Sequence, residues 1–270
     1  MIIRPPAVAG AFYPDDSVTL QNVVRQMLEG ASQRGQRSLT TMPKAIIVPH
    51  AGYIYSGPIA ASVYTQLEPF RDTITRIVLL GPSHRIAFRG LATSSAEAYA
   101  TPLGNIMIDQ AAIASISILP QIIQLDAAHR DEHSLEVQLP FLQTVLNPEF
   151  TLIPLVVGDA SADEVADVLE ALWGGPETLI VISTDLSHFH DYETAATRDQ
   201  ITSDAIETFA PEKISGEDAC GCRPLNGLLT IAKQKQLIIK RLDMCNSGDT
   251  AGPRDSVVGY AAYRLTERPN

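Results

Sequence analysis

Six short apolar runs rich in isoleucine and valine are the feature that most restricts the fold of this 270-residue chain. They occupy residues 45–48, 77–80, 151–157, 179–182, 238–242 and 257–263. Each run is nearly continuous in apolar content instead of alternating with polar residues, which is typical of strands covered on both faces. The runs therefore predict a sheet with two buried surfaces.

Segments with the apolar spacing of amphipathic helices lie between these runs. They cover residues 17–28, 59–67, 135–146, 162–172, 194–209 and 225–235. The most polar tract, residues 30–41, is predicted to be a loop before the first core strand. Because strand and helix alternate, we predict an α/β three-layer sandwich with a mostly parallel or mixed central sheet and helices on both faces. No linker interrupts the pattern, so residues 1–270 are expected to form a single domain.

Several predicted strands are followed directly by side chains that can carry chemistry. The first two runs are followed by His50 and His84, the fourth by Asp185 and His188, and the fifth by Cys245. In an open α/β sheet, ligands bind outside the carboxyl ends of the strands. We therefore expect these side chains to meet in one crevice.

Two imidazoles and one thiolate, from His50, His84 and Cys245, are a suitable ligand set for a metal ion. The set resembles the two-histidine, one-carboxylate triad of non-haem iron enzymes, and sulfur in place of the carboxylate favours copper or zinc. His188 is a candidate proton donor or acceptor, because imidazole titrates at about pH 6.5. A structural interpretation stays open, since histidines at strand ends often only hydrogen-bond and free cysteines are commonly buried.

A second cluster, residues 128–140, reads AHRDEHSLEVQLP. His133 stands at the start of a predicted helix, where backbone N–H groups favour anionic ligand groups. His129 and His133 have the i, i+4 spacing of a zinc-binding helix, but the His-Glu-x-x-His order of metalloproteases is absent. For His133, a purely structural role is as good an interpretation as a functional one. For His129, the structural role is the better interpretation.

Three further signals are weaker. The segment Cys220-Gly221-Cys222 lacks the two-residue spacing of redox or zinc cysteine pairs, so it predicts a tight turn with incidental thiols, although an approach of Cys220 to the crevice stays open. Ser247 and Asp249 follow the fifth run and either line the pocket or form an ordinary turn. Tyr53 is either a pocket wall beside the first histidine or a packed aromatic residue.

Charge and cysteine content limit the class of protein. The formal net charge of −11 argues against a general nucleic-acid binder. Three clustered cysteines do not make a disulfide framework, and the N-terminus has no apolar signal region, so a cytoplasmic location is expected. No run approaches the roughly 20 apolar residues that cross a bilayer, so no association with membranes is expected.

Seven motifs in order resemble those of a known family. They are residues 9–14 (AGAFYP), 49–53 (PHAGY) with Ser56-Gly57, 81–84 (GPSH), 101–104 (TPLG), 132–141 (EHSLEVQLPF), 183–188 (STDLSH), and 247–249 (SGD) ahead of 257–260 (VVGY). From Arg4 to Arg264 the chain resembles the Memo family, also called protein B of the AmmeMemoRadiSam system.

This resemblance implies a fold similar to that of the class III extradiol ring-cleaving dioxygenases. It implies metal ligands at His50, His84 and Cys245, with Asp185 beside them and His188 matching the acid–base histidine of the dioxygenases. The family has a cysteine where the dioxygenases have glutamate. Ring cleavage therefore does not follow from the resemblance, because a thiolate donates more electron density and can itself be oxidised. The chain also departs from the family at residue 222, where the family has no cysteine.

The leading hypothesis is a Memo-family protein that binds Fe(II) or copper, with zinc less favoured. If it is an enzyme, a dioxygenase-like oxidoreductase acting on a small aromatic or redox-active substrate is expected. His188 would then move protons, Asp185 would position that histidine or a water molecule, and His133 would hydrogen-bond an anionic group, while Tyr53, Ser247 and Asp249 would line the substrate site.

Two other classes of function stay open. The same crevice suits a non-catalytic module that binds a peptide, a small ligand or copper, and the same ligands suit a zinc-dependent hydrolase. The resemblance also implies a functional link to an AMMECR1-domain protein and a radical S-adenosylmethionine enzyme.

Overall fold

The computed structural model describes residues 1–33 and 41–268. The strands within them are β1 (Ile3–Arg4), β2 (Pro43–Val48), β3 (Arg76–Pro82), β4 (Leu91–Thr93), β5 (Ala98–Thr101), β6 (Gly104–Met107), β7 (Ile122–Gln124), β8 (Thr151–Val157), β9 (Thr178–Ser183), β10 (His188–His190), β11 (Ile238–Asn246) and β12 (Val257–Thr266). The α-helices are α1 (Ser17–Gln33), α2 (Tyr53–Tyr64), α3 (Gln110–Ile116), α4 (Asp126–Arg130), α5 (Leu139–Val145), α6 (Ala162–Ala171), α7 (Tyr192–Glu207) and α8 (Cys222–Gln234).

The main sheet is mixed. Its strand order is β10-β12-β2-β9-β3-β8-β4-β7, and β11 pairs with β12. The central strands β2, β9, β3 and β8 are parallel to one another, whereas β12 runs antiparallel to β2 and β4 antiparallel to β8. Strands β1, β5 and β6 form a separate small sheet. The predicted α/β architecture with a mixed central sheet is confirmed.

Helices cover both faces of this sheet. Along β2, Ile46 and Val48 pack into one core with α1, α2 and α5, whereas Ala45 and Ile47 pack into a second core with α6 and α8. Successive side chains of a strand point to opposite faces, so a strand buried on both sides must be apolar at every position. All six residues of β2 are buried, which accounts for the continuous apolar run in the sequence.

Some element boundaries differ from those that the sequence predicts. Helix α1 continues to Gln33, into the tract predicted as a loop, and residues 34–40 of that tract lie outside the described residues. In place of the helix predicted over 135–146, the structure has a 3₁₀ turn, Glu136–Gln138, followed directly by α5. Helix α5 has a proline in its first turn, where the backbone N–H groups have no partner within the helix and the missing N–H therefore costs nothing. Among the helices of the described residues, none combines the length and apolar content needed to cross a membrane.

Candidate metal centre

Three neighbouring parallel strands deliver side chains to the same edge of the sheet. His50 follows β2, His84 follows β3 and Asp185 follows β9, the strand between them. The ring centroids of His50 and His84 lie 5.2 Å apart with the rings nearly perpendicular. The backbone N–H of His50 donates to Asp185 Oδ1 at 2.7 Å. The expected meeting of these three residues at the carboxyl ends of the strands is therefore observed.

A hydrogen-bond chain sets the tautomer of His50. Its Nδ1 atom lies 2.8 Å from Ser183 Oγ, which donates to the carbonyl of Ser134 at 2.6 Å and accepts from Gln138 Nε2 at 2.9 Å. A hydroxyl has one proton, and Ser183 donates it to the Ser134 carbonyl. Nδ1 of His50 must therefore carry a proton and donate it to Ser183 Oγ. The Nε2 atom of His50 therefore carries an unprotonated lone pair, and it faces the crevice.

A carboxylate sets the tautomer of His84. Glu132 Oε1 accepts from His84 Nδ1 at 2.8 Å and from the backbone N–H groups of His133 and Ser134, each at 2.9 Å, while Oε2 accepts from the His84 backbone at 2.6 Å. Burial alone would raise the pKa of Glu132, but these hydrogen bonds, above all those from His84, lower it to about 2. An ionised carboxylate only accepts, so His84 also keeps its proton on Nδ1 and presents Nε2.

His133 completes a cluster of imidazoles. Its ring stacks on that of His84 with a centroid separation of 4.5 Å and lies 5.4 Å from that of His50. Burial is the main cause that lowers the pKa of His133 to about 4. Burial, followed by the charges that the neighbouring histidines would carry, holds the pKa of His50 well below its usual value. At neutral pH both rings are uncharged, which is the form that binds metals.

Asp185 and Cys220 lie next to His50. Asp185 Oδ2 is 4.0 Å from His50 Nε2, and burial raises the pKa of this carboxyl to about 7. The Cys220 sulfur lies 3.2 Å from the same nitrogen and 3.3 Å from the backbone N–H of Asp185, which donates to it. Burial and then the negative charge of Asp185 raise the pKa of the thiol.

Two groups of metal-ligating side chains stand out among residues 1–33 and 41–268. In one, the ligand atoms of His50, His84 and Cys220 lie within 4.8 Å of one another, and the other combines His84 with Glu132 and His133. The Glu132 oxygens already accept four N–H groups, and one of these is the His84 ring proton. The second group is therefore best described as support that orients His84, and the first as the open ligand set.

Sequence reasoning favoured an incidental thiol at Cys220 and left its approach to the crevice open; the structure places its sulfur beside His50. The available signal was the glycine that follows Cys220. A Cβ atom on Gly221 would lie 2.6 Å from Thr184 Cβ and 2.7 Å from the Ser183 carbonyl, so only glycine lets this loop press against the end of β9. Cys245 lies on β11 opposite Tyr260 of β12 and belongs to neither described ligand group, so its role as a metal ligand stays a prediction.

The other predicted site residues have different surroundings. His188 begins β10 and is half-buried, and burial is the main cause that lowers its pKa, with a contribution from His84. Tyr53 is buried in the core against Phe141, and its hydroxyl donates to the carbonyl of Val137 at 2.8 Å. These contacts pack Tyr53 in the core, while the predicted substrate contact of Tyr53 and the predicted acid–base role of His188 stay predictions.

Ser247 and Asp249 form a 3₁₀ turn after β11. Ser247 Oγ accepts from the backbone N–H of Val258 at 3.1 Å. Asp249 accepts from the backbone of Asn246 at 3.1 Å and from the Tyr192 hydroxyl at 2.7 Å. These contacts favour the turn interpretation of this segment, and the predicted contacts of both residues with a substrate stay a prediction.

Sequence comparison identifies relatives that align with nearly the whole chain. Residues 4–264 match the family described as "Memo-like protein". A MEMO1 family protein of Methanosarcina mazei is 37% identical over 97% of this chain and 98% of its own length. One from Aquifex aeolicus is 36% identical over 96% and 98% of the two chains, respectively.

A solved structure has the same fold. It is that of an uncharacterized protein, JW3007, from Escherichia coli K12, with a TM-score of 0.51 and 12% identity, covering 82% of this chain and 98% of that chain. At this identity the likeness concerns the fold alone. Together, the family match and the relatives show that the chain belongs to the Memo family.

Proposed function

We propose that this chain binds one transition-metal ion, Fe(II) or copper, on the Nε2 atoms of His50 and His84, and that it acts as an oxidoreductase on a small substrate in this crevice. One observation carries the proposal. Hydrogen bonds to Ser183 and to Glu132 place the imidazole protons of the two rings on Nδ1, and the ligand atoms that the two histidines offer lie within 4.8 Å of each other.

The donor chemistry fits such an ion. Neutral imidazole suits iron, copper and zinc, and a sulfur ligand shifts the preference towards copper. The resemblance to the Memo family assigns the sulfur to Cys245, whereas the crevice also contains Cys220. His84 has a side chain that is 29% exposed, whereas His50 is almost fully buried, so a ligand reaches the site from the His84 side. When bound, the metal would polarise and orient the substrate.

The chain's own residues supply proton transfer. Because burial raises the pKa of Asp185 to about 7, its carboxyl group both holds and releases a proton near neutral pH. Burial lowers the pKa of His188, so its neutral ring is available to accept a proton from a substrate hydroxyl group. Asp185 also accepts the backbone N–H of His50 and so holds the loop that carries this ligand.

The test is metal analysis of the full chain purified without oxygen, followed by reconstitution with Fe(II) and with Cu(I). We expect close to one metal ion per chain in the wild type, and its loss in His50→Ala and in His84→Ala. His129→Gln is the matched control, because His129 is a buried histidine bound to Tyr99 and Ala92 and belongs to neither ligand group. It should keep its metal.

A wild type that contains no metal and takes up none would overturn the proposal. Loaded protein that consumes oxygen with a catechol would support oxidoreductase activity. Tight copper binding without turnover would contradict the catalytic part of the proposal and favour a non-catalytic copper or ligand-binding module.

A further inference from the structure

We propose that Phe189 is a specificity-determining residue that packs against an aromatic ring of the substrate. This inference rests on the proposed function and deepens it, because it gives the small substrate of the crevice a chemical class. Three observations support it: the strained backbone of Phe189, the exposure of its ring, and the short distance from that ring to His188.

The backbone of Phe189 lies in a conformation that is costly for a bulky residue. Its φ angle is 63°, in the left-handed region, where the Cβ atom crowds the following carbonyl oxygen. Strand β10 is an edge strand, and its pairing with β12 places His188 opposite Val258 and His190 opposite Val257. Phe189 is thus the extra residue of a β-bulge, a feature that often re-aims a side chain beside an active site.

The two other non-glycine residues that have left-handed backbones within residues 1–33 and 41–268 have a structural reason for that conformation. Phe209 follows α7 and Gln236 follows α8. In both places the next backbone N–H donates at 2.9 Å to a carbonyl in the last turn of the helix, which is a common way to end a helix. Phe189 ends no helix, so its strain needs another explanation, and strained residues of this kind cluster at sites that hold ligands.

The ring of Phe189 does not offset this strain by packing in the core. It is 78% exposed, so little of its apolar surface is removed from water by folding. A strained backbone that presents an exposed aromatic ring lowers the stability of the free protein. An aromatic ring bound against Phe189 would bury that surface and add the attraction between the two rings.

The position of the Phe189 ring suits a substrate that His188 contacts. The centroids of the two rings lie 5.6 Å apart, with an angle of 61° between their planes. His188 is close enough to the metal ligands that a positive charge on it would lower the pKa of His50, and a positive charge on His84 lowers the pKa of His188. A hydroxyl group at His188 leaves the attached carbon atoms beside Phe189. Because aromatic pairs prefer centroids about 4.5–7 Å apart, a ring that carries this hydroxyl group can pack on Phe189.

The test compares two probes, acetohydroxamate and benzohydroxamate, which carry a methyl group and a phenyl ring on the same metal-binding group. The visible spectrum of the Co(II)-loaded full chain reports the binding of either probe. We expect the wild type to bind benzohydroxamate more tightly. Phe189→Ala should lower the affinity for benzohydroxamate by about fivefold and leave that for acetohydroxamate unchanged within about twofold. Phe189→Tyr retains an aromatic ring and should retain the preference.

Ile118→Ala is the matched control for the loss of an exposed apolar side chain. Ile118 is 85% exposed and lies just before β7, at the opposite edge of the main sheet from β10. We expect its affinities for both hydroxamates to equal those of the wild type.

Urea denaturation separates this role from a structural one. Phe189→Ala should leave the midpoint unchanged, and Phe189→Gly should have a higher midpoint than Phe189→Ala, because glycine adopts a positive φ angle without strain. A lower midpoint in both variants would give the ring a packing role and overturn the inference. A wild type without a preference for benzohydroxamate, or an equal loss of affinity for both probes in Phe189→Ala, would also overturn it and leave the proposed metal site standing. A wild type that binds no Co(II), Fe(II) or copper would overturn both.

Discussion

The backbone of Gly221 packs directly against Thr184, and a Cβ atom on residue 221 would lie 2.6 Å from the Thr184 Cβ. This contact joins the loop before α8 to the end of β9. It brings Cys220 to within 3.2 Å of His50, a residue 170 positions away in the sequence. The position of the thiol in the crevice therefore depends on the absence of one side chain.

Gly221→Ala is expected to move this loop away from the strand end. Neither the Ser183 carbonyl nor the branched side chain of Thr184 can yield easily, so we expect the free energy of unfolding to fall by about 1–3 kcal/mol. Urea denaturation measures this change, and alkylation of Cys220 in a Cys222→Ser/Cys245→Ser background should become faster. Gly216→Ala is the control, because a Cβ there meets nothing within 4 Å. Equal effects of the two substitutions would contradict the packing argument.

Glu132→Gln is expected to weaken metal binding without removing a ligand. An amide has one acceptor oxygen, whereas the carboxylate of Glu132 accepts four N–H groups, including the His84 ring proton. The His84 ring would lose its fixed tautomer and orientation, and removal of such a support lowers metal affinity by about 10–100-fold. Competition with a chromophoric chelator measures this affinity.

Asp131→Asn is the matched control for that change. Asp131 is the exposed neighbour of Glu132 and pairs with Arg130 at the surface. We expect its metal affinity to equal that of the wild type. Unchanged affinity in Glu132→Gln would show that the carboxylate does not support the ligand.

Arg4→Met is expected to destabilise the fold strongly. Arg4 and Glu136 form a fully buried ion pair, in which the carboxylate also accepts from the backbone N–H groups of Ala7 and Val8 and from the Tyr13 hydroxyl. Loss of the guanidinium leaves a buried charge without its counter-ion, which costs about 3–5 kcal/mol. Denaturant titration should show this loss.

Arg130→Met makes the same chemical change at an exposed pair. The side chains of Arg130 and Asp131 are 69% and 57% exposed, so loss of the Arg130 guanidinium should change the free energy of unfolding by less than about 1 kcal/mol. Comparable losses at both positions would mean that burial of the Arg4 pair has no energetic consequence.

The central part of the fold and of the site could be predicted from the sequence because its signals are local. The apolar runs of β2, β3 and β9 identify buried strands, and the histidines or aspartate after them follow from the strand ends. The short strands β4 to β7 carry no such run, since each is four residues or fewer; β7 is the edge strand of the main sheet with β4 beside it, and β5 and β6 belong to the small sheet. Their pairing depends on tertiary contacts that no local pattern reveals.

Cys220 and Glu132 could not be placed in the same way. Cys220 reaches the crevice through a loop that approaches another element, and the distance of approach is a property of the folded chain. Glu132 belongs to a recognisable motif, but its role follows from which four N–H groups point at it. Sequence spacing indicates which residues lie at a strand end, whereas hydrogen-bond partners across elements decide which tautomer each histidine adopts.

His129 is expected to make the stability of the protein fall in mild acid. Its Nε2 atom is 3.0 Å from the carbonyl of Ala92, which only accepts, so Nδ1 must accept from the Tyr99 hydroxyl. A second ring proton would break that contact. Burial is the main cause that lowers the pKa of His129 to about 4, and the positive charge of Arg4 acts in the same direction. The hydrogen bond to Ala92 and the negative charges of Asp126 and Glu132 act in the opposite direction.

The unfolded chain therefore binds a proton at this histidine between about pH 6.5 and pH 4, while the folded chain does not. The contribution of neutral His129 is fully present above about pH 6.5 and is lost as the pH falls towards 4, a change of about 3 kcal/mol in the free energy of unfolding. His50 and His133 contribute in the same direction, so the diagnostic quantity is the difference from His129→Gln. This variant keeps an acceptor for Tyr99 and a donor for Ala92 but does not titrate. Urea denaturation at a series of pH values should show a shallower loss of stability in the variant, and parallel curves would mean that His129 titrates alike in the folded and unfolded chains.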